Sequence, residues 1–145
     1  MLEKCILVID TQRYWRELAT SALRDQGFRV YDVETYTSFP ISEYSQGERP
    51  DLVVFGCATV GPGEKDLIAR IQHQHYPLLV LCTILSGELI RSLFLQKVDD
   101  IAEKPYHPDQ LIQTVRRAIS ESVPNRQLAR DSISHTSCEK GYPNV

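Results

Sequence analysis

Residues 51–63, with the sequence DLVVFGCATVGPG, carry the pattern that decides the fold class. An acid is followed by four apolar residues, and the run then breaks at Gly56. A short apolar run bounded by turn residues is typical of a strand buried on both faces of a parallel sheet. In such sheets, ligands bind beyond the carboxyl ends of the strands. Gly56 lies at such an end, where it offers no side chain for chemistry.

The rest of the chain alternates predicted strands with predicted helices. Four further segments have strand character: CILVID at 5–10, FRVYDV at 28–33, PLLVLC at 77–82 and the short DDIAE at 99–103. Between them apolar residues recur at helical spacing, with Thr11 and Ser86 as predicted N-caps and Gly27 as a stop signal. The segment 38–50 predicts a short helix at best. This alternation predicts an α/β fold with a parallel sheet and helices on both faces.

Composition argues against several classes of function. The chain has 145 residues, a formal net charge of -3 and 42% hydrophobic residues, which is ordinary for one globular domain. A mildly acidic protein gains little from nucleic-acid phosphates. No window reaches the roughly 18 apolar residues that a membrane span needs, and the first residues do not resemble a secretory signal. We therefore expect a cytoplasmic protein that binds neither nucleic acid nor membranes.

The alternating pattern ends near residue 123. We expect residues 1–122 to form one domain and residues 123–145 to form a polar tail. A segment with so few apolar residues is either flexible or a short helix docked on the domain. It is too short to be a second domain.

Three segments resemble the response-regulator receiver domains of bacterial two-component signalling. They are residues 5–28, 49–71 and 98–119, and the third includes the Lys-Pro pair at Lys104 and Pro105. The segments occur in the family's order, and the resemblance extends from residue 4 to about residue 121. It implies a flavodoxin-like (βα)5 sandwich with a parallel five-stranded sheet in the order 2-1-3-4-5.

The resemblance also implies where the family's phosphorylation pocket lies. The family holds Mg²⁺ with two adjacent acids, which fall on Asp10 and Thr11, and its phospho-acceptor aspartate falls on Gly56. Its lysine is retained as Lys104. A receiver phosphorylates itself by carboxylate attack on phosphorus, and Mg²⁺ is usually held by one or two carboxylates. The pocket thus lacks its nucleophile and one of its acids, and we expect Asp10 to pair with Lys104 instead.

The family's switch residues are replaced as well. Its hydroxyl residue falls on Cys82, with Thr83 one place beyond, and its aromatic residue falls on Ile101. Cys57 and Cys82 end neighbouring predicted strands, so they could lie within disulfide range. Cysteine is also among the most buried residue types, so both thiols could be inert.

We interpret the chain as a phosphorylation-independent, single-domain pseudo-receiver. It would act as a signalling or adaptor protein through protein–protein binding, without enzymatic activity, cofactor or metal. Two alternatives stay open: the vacated pocket binds a small ligand or senses redox state, or the protein is phosphorylated at a non-standard residue such as Thr11 or Thr59. A pocket filled by side chains would favour the adaptor, and an open polar cavity would favour the ligand.

The expected partner-binding surface is the one that the family commonly uses, formed by the fourth helix, the fifth strand and the fifth helix. We call it the C-terminal face. Its candidate contact residues are Leu89, Ile90, Phe94, Leu95, Ile101 and Tyr106. Leu95 extends the predicted apolar stripe of its helix, which consists of Leu89, Ile90, Leu93, Phe94 and Val98. A charged rim around an apolar centre is usual in protein interfaces. The rim candidates are Arg91, Lys97, Asp99 and Asp100.

The expected partner is another signalling protein, and a homodimer through the C-terminal face is the alternative. A simpler explanation of Leu95 is that it covers the edge of the sheet or contacts the tail.

Overall fold

The computed structural model of the protein describes residues 4–35, 41–83, 86–96 and 98–122. The elements in these ranges are β1 (Cys5–Asp10), α1 (Arg13–Asp25), β2 (Arg29–Val33), a 3₁₀ helix (Ile41–Ser45), β3 (Leu52–Cys57), α2 (Pro62–His73), β4 (Leu78–Cys82), α3 (Gly87–Leu95), β5 (Asp100–Glu103) and α4 (Pro108–Ser122). Because the short 3₁₀ helix takes the place of the second helix, α3 and α4 are the predicted fourth and fifth helices. The C-terminal face is thus formed by α3, β5 and α4. The predicted tail, residues 123–145, lies outside the described residues.

The strands form one parallel sheet in the order β2-β1-β3-β4-β5. This confirms the predicted fold class and strand order. Asp10 pairs with Gly56 across β1 and β3, and Cys57 pairs with Cys82 across β3 and β4. The carboxyl ends of the strands therefore meet along one side of the sheet, which we call the carboxyl edge.

Two apolar layers hold the helices against the sheet. β1, β3 and β4 are buried throughout, and alternate side chains along a strand point to opposite faces. On one face, Leu7 belongs to the layer that contains Ile68 of α2 and Leu93 of α3. The layer on the other face contains Leu23 of α1 and Val115 of α4. The helices thus cover both faces, and burial of these layers is the main force that stabilises the fold.

The ends of α1 follow local signals, with one correction. Gly27 follows the helix with φ of 92°, the left-handed conformation that favours glycine at a helix end. The predicted N-cap at Thr11 is wrong, because Thr11 is exposed and the cap position is Gln12. Oδ1 of Asp10, the last residue of β1, accepts the N–H of Gln12 at 2.9 Å. The backbone hydrogen bond at the start of this turn therefore comes from Asp10.

α3 begins as predicted and ends early. Oγ of Ser86 accepts the N–H of Leu89 at 3.1 Å, which is the predicted cap. The helix ends at Leu95, so Val98, which the sequence placed in the apolar stripe of this helix, lies beyond it. None of the helices in the described ranges has the length and apolar character that crossing a membrane requires.

Candidate functional site

The predicted pocket residues converge on the carboxyl edge. Asp10 is the last residue of β1, and Gly56 lies opposite it in β3. Cys82 ends β4, and Lys104 directly follows β5. The N–H of Lys104 donates to the carbonyl of Cys82 at 2.8 Å, which fixes the lysine backbone to the next strand. Parallel pairing thus brings together residues that are far apart in the sequence.

Asp10 and Lys104 form the ion pair that the sequence predicts. Nζ of Lys104 donates to Oδ2 of Asp10 at 2.8 Å, and the two side chains are only 0% and 3% exposed. The same ammonium donates to Oε1 of Gln12 at 2.7 Å. A buried charge is stable only when it is paired and hydrogen-bonded. Asp10 therefore supplies the counter-charge of this ammonium, and Gln12 supplies a second hydrogen-bond acceptor.

The side chain of Asp10 fills the space beside Gly56. A Cβ atom built on Gly56 would lie 2.1 Å from Oδ2 and 2.7 Å from Cγ of Asp10, far inside van der Waals contact. The carboxylate is held in place, because Oδ1 accepts the N–H of Gln12 and Oδ2 accepts from Lys104. Glycine is thus the residue that lets the carboxylate lie against the backbone of β3.

The residues at this edge do not fit the Mg²⁺ ion that the resemblance would imply. Both oxygens of Asp10 accept hydrogen bonds from protein donors, and a lysine ammonium lies where a cation would bind. Thr11 is exposed and brings no carboxylate. Across the ranges that the structure describes, no three His, Cys, Asp or Glu side chains are grouped as metal ligands would be.

Two thiols lie side by side at the same edge. Cys57 and Cys82 are free, buried and in the same apolar layer, and they lie opposite each other in the β3–β4 ladder. The neighbouring thiol of Cys57 lowers the pKa of Cys82, as does the nearby ammonium of Lys104, while burial opposes both effects. Thr83, the other candidate at this strand end, is exposed.

The sequence reasoning missed the groups that complete the site from α1. Gln12 holds Lys104, and the guanidinium of Arg16 donates to the carbonyl of Asp10 at 2.8 Å. The ring of Trp15 packs on that of Tyr106 with centroids 4.9 Å apart, and the Lys104 ammonium lies 5.8 Å from the Trp15 centroid. Burial raises the pKa of Tyr106. The one signal in the sequence for Gln12 is that its polar side chain lies two residues after Asp10.

The candidate contact residues of the C-terminal face do not form one patch. Leu89 and Ile101 pack against the layer shared with α2, whereas Tyr106 packs against the layer shared with α1. Leu95 is 73% exposed, so it does not cover the edge of the sheet. Ile90 is half-buried.

Two members of the predicted set lie partly or wholly outside the described residues. The backbone of Phe94 belongs to α3, but its side chain is outside them, and so is all of Lys97. The acidic rim residues have partners within the chain. Asp99 accepts the N–H of Leu78, and Asp100 pairs with Arg117 at 2.7 Å.

Similarity to known proteins is found among solved structures. No family model matches the chain, and no curated protein matches it. A response regulator from Thermotoga maritima is 25% identical with a TM-score of 0.72, and the match covers 82% of this chain and 99% of that one. The chemotaxis protein CheY4 of Vibrio cholerae is 18% identical with a TM-score of 0.67, covering 81% and 99%.

A third structure extends the comparison. HP1043, an orphan response regulator of H. pylori, is 22% identical with a TM-score of 0.65, covering 80% of this chain and 96% of that one. These matches span nearly the whole of each compared chain. This chain therefore has the fold of response-regulator receiver domains.

Proposed function

We propose that this protein is a phosphorylation-independent pseudo-receiver that acts as a signalling adaptor by binding another protein. The proposal combines the receiver fold with the chemistry of the carboxyl edge. Fold alone does not determine function, so the individual residues at that edge decide whether phosphorylation is chemically possible.

The observation that carries the proposal is the space beside Gly56. An aspartyl phosphate requires a carboxylate nucleophile, and residue 56 has no side chain. The neighbouring carboxylate of Asp10 occupies the space and is already bonded to Gln12 and Lys104. Without a metal site, the charge that develops on a transferring phosphoryl group is not neutralised. We infer that the pocket is filled by protein side chains and does not accept a phosphoryl group.

The ion pair also supports constitutive binding. Lys104 is bonded to Asp10 and Gln12, and the two switch positions carry Cys82 and Ile101. No hydroxyl or aromatic ring is present there to move in response to a phosphoryl group. We infer that the C-terminal face is held in one state.

The two alternatives make different demands on the structure. A small ligand in the vacated pocket would have to displace a buried ion pair, which disfavours this alternative. Thr11 and Thr59 are both exposed, so phosphorylation at either remains compatible with the fold. Phosphopeptide mapping after expression in the native host distinguishes this alternative from the adaptor.

Intact-mass measurement after incubation with acetyl phosphate and Mg²⁺ tests the proposal. We expect no gain of a phosphoryl group, because the nucleophile and one of the two metal-binding acids are missing from residues 56 and 11. A receiver domain that retains its aspartate, treated in the same tube, is the positive control. Stoichiometric phosphorylation of this protein would overturn the proposal, and the Thr11→Ala and Thr59→Ala variants would then locate the modified residue.

A further inference from the structure

We propose that Cys57 and Cys82 form a reversible disulfide that makes the carboxyl edge of the sheet sensitive to oxidants. The two residues lie opposite each other at the ends of neighbouring strands. This inference goes beyond the binding function proposed above and does not depend on it.

The geometry of the parallel ladder brings the two residues within reach of each other. Neighbouring strands lie about 4.7–4.9 Å apart, and disulfide-bonded cysteines have Cα atoms about 4.4–6.8 Å apart. Both side chains enter the same apolar layer, so they lie on the same face of the sheet. The ladder continues beyond the pair, since the N–H of Thr83 donates to the carbonyl of Ala58 at 3.1 Å. The strand spacing of this paired position thus falls in the Cα range that a disulfide requires.

The surroundings make the two thiols unequal in acidity. The interaction between the two paired thiols raises the pKa of Cys57 and lowers that of Cys82. The ammonium of Lys104 stabilises negative charge on either sulfur atom. A thiolate is the reactive form of cysteine, and a second thiol beside it can resolve the oxidised product.

The oxidant we propose is a hydroperoxide, for which the reaction balances. The Cys82 thiolate attacks one oxygen of hydrogen peroxide, the O–O bond breaks, and Cys82 becomes a sulfenic acid while hydroxide leaves. The hydroxide takes up the proton that Cys82 had released and becomes water. The sulfur of Cys57 then attacks the sulfur of Cys82, and the departing hydroxyl takes the Cys57 proton to form a second water. The two thiols are oxidised and the peroxide is reduced.

The disulfide would act on the buried ion pair through one backbone contact. The carbonyl of Cys82 accepts the N–H of Lys104 at 2.8 Å, and the Lys104 side chain holds Asp10. A shift of Cys82 toward β3 would therefore move the carbonyl that holds the backbone of Lys104. Cys57 is 6% exposed and Cys82 is fully buried, so we expect oxidation over minutes to hours rather than seconds.

The test treats the folded full-length protein with hydrogen peroxide, blocks the remaining thiols with N-ethylmaleimide and maps peptides without reduction. We expect a mass lower by two hydrogen atoms, loss of two free thiols per chain and a peptide pair that joins Cys57 to Cys82. Dithiothreitol should restore both thiols. The inference is overturned if both thiols stay free, if they yield only sulfinic or sulfonic acids, or if the link forms only between chains.

Matched cysteine variants separate this pair from the other two cysteines. Cys5 is buried, and burial raises its pKa to about 11, so Cys5→Ser should leave the link unchanged. Cys138→Ser should also leave it unchanged, which excludes exchange through residue 138. Cys57→Ser and Cys82→Ser should each abolish it. Because the link is mapped in the wild type, a variant that fails to fold does not weaken the test.

Discussion

A single glycine determines how the carboxyl edge is closed. Without a Cβ atom at Gly56, the carboxylate of Asp10 can lie against β3 and receive the ammonium of Lys104. The pair is buried, so its attraction must offset the cost of removing two charges from water. Gln12 lowers that cost by bonding both partners, through its N–H to Asp10 and its Oε1 to Lys104.

Replacing Lys104 by methionine should therefore destabilise the protein by about 3–5 kcal/mol. Methionine leaves the carboxylate of Asp10 buried without its cation, while it preserves most of the side-chain volume. The free energy of unfolding in urea is the measurement. The double variant Lys104→Met/Asp10→Asn removes both charges and should recover much of the loss. Equal unfolding midpoints for Lys104→Met and the wild type would contradict a stabilising role for the pair.

The side chains around the ion pair differ in how far the sequence predicts them. The ion pair could be predicted, because each partner ends or follows a recognisable strand and opposite charges at one edge attract. The roles of Gln12 and Trp15 could not, because they depend on how the start of α1 turns over the edge. That turn is set by contacts with Lys104 and Tyr106, which are about 90 residues away in the sequence.

Two aspartates tie neighbouring strands together at the amino end of the sheet. Asp51 precedes β3 and accepts the N–H of Cys5, the first residue of β1, at 2.7 Å. Asp99 precedes β5 and accepts the N–H of Leu78, the first residue of β4, also at 2.7 Å. Such charge-assisted bonds are stronger than neutral ones. Each carboxylate thus helps to set the register of a parallel strand pair.

Truncating Asp51 to alanine should cost about 1–3 kcal/mol of stability, because it leaves the N–H of Cys5 without its acceptor. Asparagine keeps an acceptor oxygen at nearly the same place, so Asp51→Asn should lose clearly less. Urea unfolding of the two variants beside the wild type makes the comparison. An Asp51→Ala protein as stable as Asp51→Asn would show that this bond does not matter.

The strands were more predictable than the helix ends. β1, β3 and β4 are buried on both faces, so each is encoded by a continuous apolar run that needs no tertiary information. The predicted cap of α1 at Thr11 is wrong, because the carboxylate of Asp10 accepts the backbone N–H of Gln12 there. The end of α3 was placed too late, because Val98 is apolar but packs after the helix has ended.

The large apolar side chains that the fold leaves exposed lie on opposite sides of the sheet. Among the described residues these are Tyr14, 69% exposed on α1, and Leu95, 73% exposed on α3. α1 and α3 cover different faces, so one surface cannot include both. The proposed adaptor function favours Leu95, which belongs to the C-terminal face, whereas Tyr14 makes an edge-on contact with Trp15 beside the pocket.

Replacing Leu95 by glutamate should weaken binding to the protein's partner by about tenfold or more, because a buried apolar anchor at an interface typically contributes over 1 kcal/mol. The partner is first identified by capture on the wild-type protein, and its affinity is then measured by calorimetry. Self-association is followed in parallel by light scattering. Stability should hardly change, because Leu95 is already mostly exposed.

Tyr14→Glu is the matched control, since it places the same charge at an equally exposed apolar position on the other side of the sheet. It should leave the affinity unchanged. If a folded Leu95→Glu protein binds as tightly as the wild type, α3 does not form the partner-binding surface. If only Tyr14→Glu weakens binding, the partner contacts α1 instead, beside the Trp15–Tyr106 ring pair that covers the buried lysine.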